Sequence, residues 1–167
     1  MNREEMRPSG VATKILLSEE VTAQIRAHGA ETYPQECCGA LLGHESETGR
    51  EVTALLPLVN RSEDSPRNRF SITADDVREA EKAGAKMHGL EVIGWYHSHP
   101  DHPPRPSEYD REYAWPWYSY IIVSVEKGAA KEMSSWQLAD DRSGFSEEKI
   151  EVMRVRAGEA QFEGAGR

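Results

Sequence analysis

Cysteine is nearly missing from this chain: of 167 residues, only Cys37 and Cys38 are cysteines, and they are neighbours. Adjacent thiols cannot staple distant segments, so no disulfide framework is available and a reducing cytoplasm is the expected compartment. Long apolar runs are missing too. No window approaches the roughly 18 apolar residues of a membrane helix. The opening MNREEMRPSG mixes acids with bases and has no apolar stretch, unlike a secretory or transit segment. Basic residues are outnumbered, 20 Lys and Arg against 29 Asp and Glu, for a formal net charge of −9. That balance argues against broad attraction to nucleic acid or anionic membranes. Internal repeats and low-complexity blocks are absent. The size is that of one domain, long enough to bury roughly 68–70% of its unfolded surface.

Between polar ends the pattern switches between the strand and helix periods. ATKILL reads as a strand, and Ser18 as the N-cap of a helix running to about Gly29. CCGALLG is a short apolar run suited to a buried strand, and EVTALLPLV is another, with Pro57 suggesting an edge or a bulge. RFSI is brief and strand-like. Thr73 caps a helix through ADDVREAEKAGAKMHG, with Asp75 and Asp76 in its first turn and Lys86 and His88 near its end, each matched to the dipole. LEVIGWYHSH predicts a central strand entering a proline-rich loop, and SEYDREYA a short helix begun by Ser107. YSYIIVSV, SSWQLAD and EKIEVMRV complete a strand-rich second half. Strands mixed with two substantial helices predict an α/β or α+β domain, a curved mixed sheet flanked by helices, over residues 12–156. Residues 1–11 and 157–167 are expected to be flexible.

GWYHSHPDHPPRPSEYD concentrates three of the six histidines within six positions, beside several prolines and three acids. His97 and His99 stand at i and i+2 at the end of an apolar strand. That spacing puts both side chains on one face, with Cα atoms about 6.6 Å apart, close enough for two imidazoles to share one ion. A catalytic zinc usually takes three protein ligands and keeps an open position. The local candidates for the third are Asp101, His102, Glu108 and Asp110. Two histidines at this spacing also arise by chance, and Ser107 with Asp110 also reads as a plain capping box. A helix start aimed at a metal would add amides, and the Ser107 hydroxyl, to an oxyanion site.

His-Ser-His-Pro, followed by Ser107 and by Asp110 with ten residues between it and His99, and preceded by Glu36 in YPQECCGALLG, resembles the JAMM motif of the MPN (Mov34/PAD-1) zinc metalloproteases in their short prokaryotic branch. NRSEDSPRNRFSITADDV also resembles that family's linking segment, and the likeness runs from about Ala12 to Asp141. The resemblance implies a cytidine-deaminase-like single domain. It implies one Zn²⁺ per chain held by His97, His99 and Asp110, Glu36 as general base and Ser107 as oxyanion partner. It implies cleavage after the C-terminal Gly-Gly of a ubiquitin-like or sulfur-carrier protein, with a homodimer as the assembly. Nucleic acid and membrane are not among the partners it implies.

Other readings are weaker. A catalytically silent scaffold usually lacks motif residues, whereas all five are present here. A zinc nucleobase deaminase uses H-x-E with P-C-x-x-C, and neither occurs. The insertions with which eukaryotic relatives read linked ubiquitin are missing between Asp110 and Tyr118. On its chemistry alone Glu36 would be a solvated strand edge. Cys37 and Cys38 read as small buried packing residues rather than a nucleophile or ligands. His102 is expected to face solvent, and His28, His44 and His88 to serve surface roles. Trp95 is expected in the core or a pocket wall, and Trp115 and Trp117 in packing.

Overall fold

A strand that is apolar on both faces has to be covered on both faces, and β4 (Glu91–Pro100) is such a strand: nine of its ten residues are buried. The rest of the fold supplies the covers. The computed structural model describes residues 14–60 and 72–154. Within them the order is β1 (Lys14–Ser18), α1 (Glu19–Thr32), β2 (Cys38–Ser46), β3 (Gly49–Leu58) and α2 (Ala74–Lys86). After β4 come α3 (Glu108–Tyr113), β5 (Ser119–Glu126), β6 (Ala129–Leu138) and β7 (Phe145–Met153). The predicted α+β single domain with a curved mixed sheet is what forms. The sheet order β1-β3-β2-β4-β5-β6-β7 closes on itself into a barrel. β1 pairs in parallel with β3 and β7, and β4 with β5, while the other ladders are antiparallel. Closure is the feature that strand patterning left open.

Two cores lie on opposite faces of this sheet. One joins Val21 and Ile25 of α1 to Ile15, Leu41, Ile93, Tyr96, Ile121 and Val123. The other joins Ala80 of α2 to Ala40, Leu42, Val92, Trp95, Tyr120 and Leu138. Along β4, Val92 belongs to the α2 core, Ile93 to the α1 core and Trp95 again to the α2 core. Simple alternation would not do this. The register explains it: Leu42 pairs with Val92 and Leu41 with Gly94, so Ile93 is an extra residue and the strand carries a bulge. Beyond the bulge the odd-numbered positions share Trp95's face, including His97 and His99.

Helix ends follow the predicted caps. Ser18 Oγ accepts from Val21 N–H, and Thr73 and Asp76 form a reciprocal capping box. α1 runs past the expected stop at Gly29. That glycine serves close approach, since a Cβ there would stand 3.0 Å from Val125 Cγ2. Pro57 lies in the part of β3 that no longer has β1 beside it, an edge as expected. The expected flexible termini, and residues 69–71 of the RFSI run, lie outside the described residues. Ile72 is not in a strand and packs against the α2 core. β4 and β5 being parallel, a crossover must join them, and residues 101–118 form it. The proline-rich loop and α3 are therefore set at the C-terminal end of β4.

At the bulge, a Cβ on Gly94 would come within 2.1 Å of the Ser119 carbonyl oxygen. Gly94→Ala is expected to lower unfolding free energy by about 3 kcal/mol or more. Gly89→Ala, at φ +77° with nothing within 4 Å, is expected to lose only about 1–2 kcal/mol. Urea denaturation of both variants checks the contrast.

Candidate metal centre

His97 and His99 leave β4 on the same face, as the strand spacing required, and Asp110 enters from the first turn of α3. The three side chains offer ligand atoms that all lie within 4.8 Å of one another. His97 Nε2 is 3.1 Å from His99 Nε2, 3.4 Å from Asp110 Oδ1, and His99 Nε2 is 3.3 Å from Asp110 Oδ2. A tetrahedral ion with bonds of about 2.0–2.1 Å spaces its ligand atoms about 3.3–3.4 Å apart. The separations are close to that spacing, with each imidazole facing a different oxygen of Asp110. Asp110 is the third member among the four candidates; Asp101 and His102 are exposed, and Glu108 pairs with Arg111.

Neighbouring carbonyls fix this arrangement. His99 Nδ1 lies 2.9 Å from the Pro103 carbonyl. A carbonyl only accepts, so Nδ1 carries the proton and Nε2 keeps its lone pair for a metal. The Ser124 hydroxyl donates to the His102 carbonyl at 2.6 Å, and Trp136 Nε1 donates to the Pro104 carbonyl at 3.2 Å, joined there by the Ser134 hydroxyl. Three successive carbonyls of the proline-rich loop are thus held by β4, β5 and β6. At the start of α3, Ser107 N–H donates to Asp110 Oδ2 at 2.8 Å and Asp110 N–H donates to Ser107 Oγ at 3.1 Å. The capping-box reading is correct, and the capping carboxylate is also the one facing the imidazoles.

Glu36 is only 4% exposed, not the solvated strand edge its chemistry alone suggested. It precedes β2, on the face shared by Cys38 and Ala40. Burial, and then the nearby Asp110 charge, push its carboxyl up to about 9. Its Oε2 is buried without a hydrogen-bond partner among the described residues. Burial holds His97 below its ordinary value and therefore neutral. Burial would raise Asp110, but the two imidazoles facing it more than offset this and hold its carboxyl well below the usual range. No lysine or arginine among the described residues pairs with Glu36 or Asp110. Two nitrogen lone pairs, a carboxylate and a second buried acid with an orphaned oxygen are what a divalent cation would satisfy.

Several expectations are corrected. His28 is half-buried rather than a surface residue, with Nδ1 2.8 Å from Tyr96 Oη, and burial lowers its pKa. Trp115 is 56% exposed instead of packed, and its backbone N–H donates to Tyr120 Oη at 2.8 Å. Trp117 does pack, with the Arg50 guanidinium 4.5 Å above its ring. His44, His88 and His102 are exposed, as expected. Cys37 and Cys38 are buried and form no disulfide, and burial first, then Glu36, lifts the Cys37 thiol up to about 11, which disfavours it as a nucleophile. The sequence reading missed an aromatic pocket beside His97 and Asp110, walled by Trp95, Tyr109, Tyr113, Trp115 and Phe145. Its one legible signal was the i, i+4 pair Tyr109–Tyr113, whose rings lie 4.4 Å apart.

The chain is similar to several known proteins. A family described as prokaryotic homologs of the JAB domain matches residues 18–139. The desampylase of Haloferax volcanii is 35% identical over 109 residues, 65% of this chain and 76% of that protein. The tail tip assembly protein K of Escherichia phage N15 is 34% identical over 108 residues, and this chain spans only 38% of its length. Among solved structures, a Salinibacter ruber protein shares 45% identity at TM-score 0.63, over 84% of this chain and 92% of that one. A Desulfitobacterium hafniense protein shares 32% identity at TM-score 0.71, over 86% and 96%.

The Glu36 carboxyl generates a stability prediction. A carboxyl whose folded pKa is raised contributes stability below its unfolded pKa, near 4.5, that is lost as pH rises through about 9. Metal-free Glu36→Gln should therefore melt higher than metal-free wild type, with the gap widening from pH 5 to pH 8.5. Melting curves in chelator across that range check the sign; equal curves would place Glu36 in water.

Proposed function

The chain belongs to the family of prokaryotic JAB-domain homologs, and from that premise we propose that it is a zinc-dependent peptidase or isopeptidase. Its substrate is a ubiquitin-like or sulfur-carrier protein, cut after a C-terminal Gly-Gly. The observation that carries the reading is the convergence of the His97, His99 and Asp110 donors with a buried acid beside them. Similarity to a desampylase supports the hydrolase class.

His97 Nε2, His99 Nε2 and one Asp110 oxygen would hold the ion. Zinc bound there supplies Lewis acidity, lowering the pKa of a water from 15.7 to about 7. Glu36 accepts the proton of the attacking water and returns it to the leaving amine. The Ser107 oxygen is already used as an acceptor by Asp110 N–H, so its hydroxyl hydrogen is free in direction to donate to an oxyanion. Gly-Gly suits the approach because glycine lets the substrate backbone come close to the ligands.

The test is to incubate zinc-loaded protein with a ubiquitin-like sulfur carrier extended beyond its Gly-Gly and follow intact mass. Wild type should release a product ending at Gly-Gly, and chelator should abolish it. Glu36→Gln should keep its zinc and lose at least about 10³-fold in rate, with Ser107→Ala losing about 10²–10³-fold. No zinc uptake and no product would return the chain to the scaffold class.

In a second set, Asp110→Ala should lose metal rather than rate alone. Zinc content after dialysis distinguishes this ligand role from that of Glu36.

A further inference from the structure

Glu36 lies in the segment 33–37, which joins α1 to β2 and is held on both sides by residues that flank His99. Just after Glu36, Cys37 N–H donates to Ser98 Oγ at 2.8 Å, and Ser98 N–H donates to the Cys37 carbonyl at 3.2 Å. An antiparallel ladder would send that Cys37 N–H to a strand carbonyl. Here a side-chain oxygen takes it, and the ladder ends. Three residues before Glu36, the Tyr33 hydroxyl donates to Asp101 Oδ2 at 2.6 Å. Asp101 is itself anchored: its N–H donates to the Val125 carbonyl at 2.7 Å, and its Oδ1 accepts from Lys127 N–H at 2.8 Å. Its backbone sits at φ +57°, a conformation that Asp and Asn tolerate better than most residues.

We propose that Ser98 and Asp101 are positioning residues that hold the Glu36 carboxylate against the His97, His99 and Asp110 donors. The inference rests on the reading of Glu36 as general base. Neither residue belongs to the donor triangle. Ser98 is completely buried on the α1 face, where a Cβ on Gly29 would stand 3.4 Å from Ser98 Cβ. Asp101 lies in the exposed turn past β4. Through them, β4 sets its own two ligands and the distant acid at once: one strand end serves as the ruler for both. The Ser98 bond is desolvated, since Cys37 is buried as well, and so is directional and hard to replace with water. The Tyr33 bond is exposed but ends on a residue that β5 and the turn after it already fix.

The test uses the full chain loaded with cobalt(II) or zinc. Tyr33→Phe deletes only a hydroxyl, Ser98→Ala only a buried acceptor, and Asp101→Asn preserves both the backbone and the acceptor facing Lys127. Metal content and KM should match wild type. kcat should fall about 5–10-fold in Tyr33→Phe and in Asp101→Asn, whose amide nitrogen cannot accept from the Tyr33 hydroxyl, and about 10–100-fold in Ser98→Ala. The cobalt d–d spectra of Tyr33→Phe and Ser98→Ala should shift from wild type toward Glu36→Gln. An unchanged kcat with a wild-type spectrum, or a loss confined to melting temperature or metal content, would overturn the proposal. Should Ser98→Ala fail to fold, Tyr33→Phe carries the test alone. Should wild type cleave no extended carrier, the peptidase reading fails by itself. The spectra then still decide the positioning: displacement toward Glu36→Gln supports it, and superposition on wild type overturns it.

Discussion

Strand β4 is buried on both faces, so each of its side chains must find cover on whichever side the pleat sends it. The extra residue at Ile93 changes that side partway along. Before the bulge the even positions serve the α2 core; after it Trp95, His97 and His99 do, while Tyr96 and Ser98 turn to α1. Without the bulge, two imidazoles would face an apolar helix and α3 would have nothing to meet. The bulge in turn requires the close approach of Gly94 to β5. The metal centre thus depends on a glycine several residues away that carries no chemistry of its own.

The second governing fact is the electrostatic state of the site. A His97 imidazole held low, a depressed Asp110 and a raised Glu36 sit together in a largely buried space. The structure tolerates this because the surrounding loop is tied down through its carbonyls. Pro103 and Pro104 have no N–H to offer, so His99, Trp136 and Ser134 bind their oxygens instead. Proline here both stiffens the loop and leaves it reachable only as an acceptor. The aromatic wall beside the donors excludes water from one flank and strengthens every charge interaction there.

The strands, both long helices, their caps and the histidine pair could be read from the sequence, because each rests on local spacing: i, i+2 for His97 and His99, and S-x-x-D for the cap of Ser107 and Asp110. Resemblance alone singled out Asp110 among four local candidates for the third donor. Barrel closure could not, since the β1–β7 pairing joins the two ends of the described chain and depends on no local pattern. Glu36 was found only through resemblance, because burial of an acid is set by what surrounds it in space. Tyr33, Ser98 and Asp101 escaped for the same reason. Their partners are 61 to 68 positions away, and nothing in a tyrosine, serine or aspartate announces a long-range bond. His28 and Trp115 were misplaced by the same limit: both lie at helix ends, where spacing says little about the neighbouring element.

All three donors of the candidate centre fall within 14 consecutive residues, while Glu36 lies 61 positions upstream of His97. Loop-closure entropy rises by only about 0.6 kcal/mol per doubling of length, but a short loop between ligands still closes first and most often. An ion can therefore be gathered by one strand, one turn and the start of one helix before the barrel shuts. The acid arrives only with α1 and β2 in place. The three candidate donors and the acid are thus brought together by different contacts of the chain.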